Sequence, residues 1–303
     1  MQLPFAEVRQ KALELGWNDV GVTEPTISQE NIEAYQKWLQ EGLHGELHYM
    51  ENQGRIHSDT VFPGAKSALI FVSYYKQEKL PFIPGLGLVA SYARGRDYHH
   101  VHRKRLKKMI AWLEERSGQK GIARGFSDSA PVLEKALAVQ AGLGWFGKNT
   151  LLIHRRFGTF TLLSGLFTSL EISDKALEMR LPRCGSCTRC LDACPTQALT
   201  PYRLNASQCL SYQLIESKQD LPLEIAQKNP GYIFGCDICQ DACPHNVRTV
   251  LSVTPEFSPT VGIGPYLSSD QIEHLKLKPE TLHGTPLQRR GVNGLEKNKN
   301  SLK

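Results

Sequence analysis

Outside one stretch of sixty residues this chain has no cysteine: all eight lie between Cys184 and Cys243. It has no secretory leader pattern either, since the start MQLPFAEVRQKALELGW is a charged amphipathic helix pattern. Together these argue against a disulfide framework. No apolar run approaches the length of a membrane span, so a cytoplasmic protein without a membrane partner is expected. There is no P-loop, and no G-x-G-x-x-G follows an expected strand, which argues against a nicotinamide Rossmann site. What the chain does have is length for two or three domains and ordinary apolar content, at 303 residues and 41% hydrophobic. The net charge of +6 is a mild excess. It gathers in HHVHRKRLKK (His99 to Lys108) and in a tail carrying Arg289, Arg290, Lys297, Lys299 and Lys303. Such stretches suit phosphate contacts, and equally suit a solvated helix face and a frayed end.

The cysteines form a doubled pattern. The first run is C-x2-C-x2-C-x3-C-P, from Cys184 through Cys187 and Cys190 to Cys194 and Pro195. The second ends alike at Cys236, Cys239, Cys243 and Pro244, and CTRCLDACP nearly repeats in CDICQDACP. A strict repeat would put a cysteine at position 233, where Ile233 stands; Cys209 restores the count. Three thiolates in one loop followed by a cysteine–proline pair suit [4Fe–4S] clusters, in which the last cysteine serves the other cluster. One cluster is therefore assigned Cys184, Cys187, Cys190 and Cys243, and the other Cys194, Cys209, Cys236 and Cys239. Zinc sites pair separate C-x2-C knuckles and fit less well. The chemistry expected is single-electron transfer.

The fold class expected is α+β in three parts. Residues 1–172 read as one α+β domain, residues 173–253 as a bacterial ferredoxin-like domain with two clusters, and residues 254–303 as a short helical segment. In the first part a helix runs up to Gly16, Ser67 to Tyr75 reads as a strand, and Leu88 to Gly95 as another. Asp97 caps a helix to about Arg116, ended by Ser117 and Gly118. A further helix is expected to start at Asp128–Pro131 and stop at the glycines of GLGWFGKNT. TLLIHRRFGTFTLLSGLF reads as a hairpin turning at Arg156 to Gly158. The tail NGLEKNKNSLK shows no hydrophobic stripe and reads as disordered or cut short.

A relay needs a terminal acceptor, and the segment Phe126 to Thr150 is the unusual one. It sets Asp128 near a helix start and glycines, which permit close backbone approach to a bulky ligand, at its end. From spacing alone, Asp128 reads first as a plain N-cap.

Four stretches carry a resemblance: HGELHYM (His44 to Met50), YARGRDYH (Tyr92 to His99), DSAPVLEKALAVQAGLGWFGKNT, and the two cysteine runs with CPT and CPHN. With them the chain resembles the epoxyqueuosine reductase family up to about residue 290. The resemblance implies a cobalamin-binding N-terminal domain, with the cofactor lacking its lower axial base. It implies that the clusters reduce cobalt to cob(I)alamin and that the substrate is tRNA carrying epoxyqueuosine. It further implies an external donor of flavodoxin or ferredoxin type, and a monomer is expected. Asp128 matches the family's proton donor, and burial beside a corrin is expected to raise its pKa. Arg55, Ser91, Lys148, Asn149, Ser164, Cys236 and Asp237 match approaches to the cofactor. His44, His48 and His57 are expected to be surface or core histidines, and Trp145 to stack on a ring or simply pack. The family continues into helical repeats, so a short or truncated form is expected here. The alternatives are a cobalamin-dependent reductase of another substrate and a ferredoxin-like electron carrier.

Overall fold

Ser67–Tyr74 is a strand whose eight residues are all buried, so both faces of its sheet are covered. Side chains alternate along a strand, and the alternation sorts two cores. Leu69 and Phe71 join Val20, Val22 and Leu166 against the helices Phe5–Glu14 and Tyr98–Ser117. Ala68, Ile70 and Val72 join Phe126 and Phe167 against Leu137, Ala138 and Ala141 of the helix Glu134–Gln140 and its end. The computed structural model describes residues 2–173 and 183–302. The expected junction near residue 173 runs into residues 174–182, which lie outside the described residues, as does Lys303. The main sheet is antiparallel, in the order Asp19–Thr23, Ser67–Tyr74, Thr161–Thr168, Ala123–Phe126.

The long helix begins as its sequence indicates. The Asp97 carboxylate accepts from the His99 N–H at 2.9 Å, and Gly118, at φ 66°, ends it in the left-handed region. Arg103, Lys104, Lys107 and Lys108 lie exposed along its outer face. A second sheet joins distant stretches: Gly87–Val89 lies between Tyr232–Phe234, parallel, and Tyr266–Leu267, antiparallel. The two cysteine runs form matching short helices, Arg189–Asp192 and Ile238–Asp241. No helix of the described residues is long and apolar enough to cross a membrane.

Four expectations are corrected. The strand expected over Leu88 to Gly95 ends at Val89, and Ser91–Ala93 turns as a 3-10 helix. The helix expected from Asp128 starts at Glu134; Asp128 instead sits at φ 57° in a turn. The expected hairpin does not close. Leu152–His154 pairs with Gly144–Phe146, while Thr161–Thr168 enters the main sheet. Buried His154 redirects the chain: its Nδ1 accepts from the N–H groups of Arg156 and Phe157, and its Nε2 lies 3.3 Å from the Asp19 carboxylate.

The tail is the fourth. Gly291–Asn300 is a helix with Leu295 and Asn298 buried. Its anchor is polar rather than a stripe: Asn298 Nδ2 donates to the carbonyls of Leu214 (2.8 Å) and Ile233 (2.9 Å), and Oδ1 accepts from Arg290 (2.9 Å). Asn298→Ala strips two buried carbonyls of their donor. We expect a loss of about 2–4 kcal/mol, read as a Tm several degrees lower in anaerobic thermal unfolding beside the parent protein.

Candidate redox and proton-transfer site

The first cysteine run wraps a small cavity that is partly open to solvent. Cys184, Cys187, Cys190 and Cys243 line it, with Lys148, Asn149, Arg183 and His245 around them. Burial, then the thiols of Cys190, Cys184 and Cys187, push the Cys243 thiol up to about 11. The other four are grouped too. Burial first, then the neighbouring Cys209 and Cys194, raise Cys236; burial, then Cys236, Cys209 and Cys194, raise Cys239. Thiols that repel one another as thiolates are what iron binding relieves, because the metal takes the deprotonated form. Two buried donors without a protein acceptor, Trp145 Nε1 and Asn149 Nδ2, lie beside the first set. Cluster sulfurs accept such N–H groups, and these bonds tune potential. The residues therefore fit a cluster in each place.

Lys148 is part of this setting. Its Nζ donates to the carbonyls of Gly185 (2.7 Å) and Cys187 (3.1 Å), clamping the first cysteine loop. The structure thus puts Lys148 and Asn149 at a cluster cavity. Trp145 packs against Cys243 and Ile153, edge-on to His245 at 5.1 Å. Ser164 is fully buried in the sheet, where its Oγ accepts from Trp17 Nε1 at 3.2 Å, and so cannot line a pocket. Thr161–Thr168 runs between Ser67–Tyr74 and Ala123–Phe126 in the sheet, with Ser164 and the residues after it buried.

Ser91, Cys236 and Asp237 come together. Asp237 is buried, and burial raises its carboxyl pKa. The N–H and Oγ–H of Ser91 both donate to its Oδ2, at 2.7 and 2.8 Å. This ties the second cysteine run to the turn after Gly87–Val89. The next residue, Tyr92, stacks edge-on to Tyr98 at 6.2 Å, and the Tyr98 hydroxyl donates to Asp128 Oδ2 at 3.0 Å. A continuous wall therefore runs from Cys236 to Asp128.

Asp128 stands on its turn among charged and aromatic neighbours. Its side chain is 66% accessible, yet Tyr98, His99, Glu134 and Arg55 surround it and set its charge. His99 Nε2 lies 3.3 Å from Asp128 Oδ2, and His99 Nδ1 lies 2.7 Å from Asp97 Oδ1. The hydrogen bond from His99 holds the Asp128 pKa below the ordinary carboxylate value, against burial. His99 is held up at about 9: burial works against its charge, but the bonds to Asp128 and Asp97 outweigh it. In the protein by itself the direction is therefore down for Asp128 and up for His99, and the rise expected beside a corrin belongs to the loaded protein. The turn is fastened from behind. The Asp128 N–H donates to Glu134 Oε1 at 2.6 Å, and burial raises Glu134 to about 8. Arg55 is buried and donates to the Tyr49 and Val132 carbonyls, next to the same turn.

Tyr98, His99 and Glu134 were not singled out by sequence reasoning, although all three stand within the motifs YARGRDYH and DSAPVLEKALAVQAGLGWFGKNT. His44 and His48 share Glu51 Oε1, at 3.1 and 2.9 Å. Among the described residues, no three His, Cys, Asp or Glu side chains converge on a single metal ion.

Two family models match the chain. One is described as a 4Fe-4S double cluster binding domain, over residues 183–246. The other is described as Epoxyqueuosine reductase QueG, DUF1730, over residues 55–129. The epoxyqueuosine reductase of Leadbetterella byssophila is 36% identical over 296 residues, covering 96% of this chain and 96% of that protein. That of Escherichia coli is 36% identical over 262 residues, covering 84% and 68%. The solved epoxyqueuosine reductase from Streptococcus thermophilus superposes with TM-score 0.80 at 27% identity, covering 97% of this chain and 79% of that one. A crystal structure of an epoxyqueuosine reductase with a tRNA-Tyr epoxyqueuosine-modified stem loop gives 0.82 at 25% identity, covering 97% and 79%.

The His99 pair makes its own test. A histidine raised by carboxylates contributes stability in full below its unfolded pKa, near 6.5, and loses it as pH climbs through about 9. Replacing Asp128 by Asn removes one of the two carboxylates. We expect the His99 midpoint, followed by NMR of labelled imidazole, to fall from about 9 toward the ordinary value.

Proposed function

Since the chain belongs to the epoxyqueuosine reductase family, we propose that it reduces epoxyqueuosine at the wobble position of tRNA to queuosine. The reaction takes up two electrons and two protons, removes the epoxide oxygen as water and leaves an alkene. The supporting observation is one juxtaposition. The proton-bearing group Asp97–His99–Asp128 and the second cysteine set border the same wall, through Tyr98, Tyr92 and the Ser91–Asp237 contact. A chain of side-chain contacts therefore links the electron supply to the proton supply.

Arg55, Ser91, Asp128 and Asp237, with Cys236, border the space we assign to cobalamin. Aromatic rings of Tyr92 and Tyr98 stand on this side, and Lys135 of the helix Glu134–Gln140 donates to the Thr150 carbonyl at 2.8 Å, with its pKa lowered by desolvation. When bound, the clusters supply electrons singly and the cobalamin supplies a strongly reducing cobalt centre.

The remaining steps belong to side chains. An opening epoxide develops negative charge on oxygen, and a proton placed within hydrogen-bond reach lowers that barrier. Asp128 Oδ2 accepts from the Tyr98 hydroxyl and faces His99, so a proton passes from His99 to the Asp128 carboxylate and from there to the opening epoxide oxygen. Glu134 and Arg55 hold the turn so that this proton stays at a fixed place.

The test is anaerobic reconstitution with iron, sulfide and cobalamin, then nucleoside analysis of tRNA isolated from cells lacking the activity. Queuosine appearing at the expense of epoxyqueuosine is expected; iron–sulfur absorbance with no corrin uptake would favour a plain electron carrier. Asp128→Asn should keep the corrin spectrum yet lose about 10²–10⁴-fold in rate, the usual contribution of a positioned acid. In the parent protein the rate should fall as pH rises through about 9, where His99 gives up its proton.

A further inference from the structure

The segment after Cys243 is strapped by its backbone while its apolar side chains face water. Val247, Val250, Leu251 and Val253 are 75%, 77%, 52% and 91% exposed. Chain this apolar usually turns inward; here the backbone is pinned so that it cannot. Lys76 Nζ donates to the carbonyls of Asn246 (2.8 Å) and Thr249 (2.7 Å) and to Thr249 Oγ1 (3.0 Å). The Tyr74 hydroxyl donates to the Val250 carbonyl. Ser252 answers from the other side, its N–H donating to the Lys76 carbonyl at 2.7 Å and its Oγ–H to the Tyr74 carbonyl at 2.6 Å. The strap is thus tied to the end of Ser67–Tyr74, a strand of the buried main sheet.

Its position and charge are informative. It leaves directly from the first cluster cavity, which Cys243, Pro244 and His245 line. That cavity opens to solvent, and Gly185 and Ser186 of its cysteine loop are exposed. Residues 242–255 contain Arg248 and His245 and no acid. Arg183 lines the cavity and Arg156 stands exposed on the turn packed against Asn246. Among the described residues none of these three arginines has a carboxylate partner. An apolar strip with an unpaired basic rim is the composition of a protein-docking patch, and its charge selects an acidic partner.

We propose that this strap is the docking surface for an acidic, soluble single-electron carrier protein, which reduces the first cluster through its open side. Each encounter oxidises the carrier by one electron and reduces the cluster by one. The inference rests on the two-cluster reading of the chain. The outward valines favour a protein partner over a nucleic acid, whose recognition would draw on the basic groups alone.

The reconstituted full chain is mixed anaerobically with a reduced flavodoxin or, separately, a reduced [2Fe–2S] ferredoxin, and cluster bleaching is timed. The variants are Val250→Asp with Val253→Asp, and Arg248→Glu; none touches a cysteine. With the faster carrier we expect reduction to slow at least tenfold in the valine variant, and to lose most of its salt dependence in Arg248→Glu. Reduction by dithionite, a small reductant that needs no docking patch, should be unchanged in both. Unaltered rates with both carriers would overturn the proposal. So would an equal loss with dithionite, which would make the strap a support for the cluster, or weakened binding of a tRNA stem loop with carrier rates intact. No RNA is present when bleaching is read, so an error in the epoxide reading and an error in this one give different results.

Discussion

Two hydrogen bonds from one serine tie the second cysteine run to the turn that leads into the long helix. Asp237 is buried, and an isolated carboxylate there would be costly to ionise. The N–H and Oγ–H of Ser91 both reach the same oxygen, and Gln240 Nε2 reaches the other at 3.3 Å. The turn that carries Ser91 lies between the central strand of the second sheet and the long helix that starts at Tyr98. Holding Asp237 therefore fixes Cys236 relative to Tyr92, Tyr98 and finally Asp128.

The acid end of that wall follows a different logic. A carboxylate that must deliver a proton is often made weakly acidic by burial. Here the carboxylate is open to solvent and bonded to an imidazolium, so it is the more acidic partner. A histidine between two carboxylates keeps its proton across the neutral range and stays next to the acid. Such an arrangement stores a proton without requiring the acid to be neutral, and the store depends on distance. His99 and Tyr98 are helix residues, whereas Asp128 rides a turn with a left-handed backbone that a bond to Glu134 and the backing of Arg55 hold in place. The rigid partner fixes one side of the pair and the turn fixes the other.

Some of this was legible in the amino-acid order because it is local. A cysteine spacing encodes a loop around an iron cube, and an aspartate before a long polar–apolar pattern encodes a capped helix. Both are decided within a few residues, and the strand at Ser67–Tyr74 shows itself by composition alone. The failures came where the chain answers to distant partners. Nothing near Arg156 announces that His154 will lie against Asp19, or that the two strands flanking this turn belong to different sheets. Ser164 entered by resemblance alone, and its Oγ partner, Trp17, lies far off in sequence. The tail looked unstructured because its anchor is one asparagine side chain, which no apolar periodicity reveals.

Position 233 shows how the two kinds of information combine. The repeat asks for a cysteine there, yet Ile233 is fully buried in Tyr232–Phe234, parallel to Gly87–Val89. A side-chain carbon built on Gly87 would come within 2.6 Å of the Ile233 Cβ, so the neighbouring strand is glycine to admit it. The carbonyl of the same residue takes the Asn298 side chain. The fourth sulfur comes instead from Cys209, at the start of the helix Leu210–Ile215, grouped with Cys194, Cys236 and Cys239. The broken repeat is thus the point at which the second cysteine run was committed to two tasks. Its residues before Cys236 build the sheet that receives the first and last parts of the chain, and those from Cys236 onward hold sulfur, so the ligand that would have conflicted with the sheet is supplied from elsewhere.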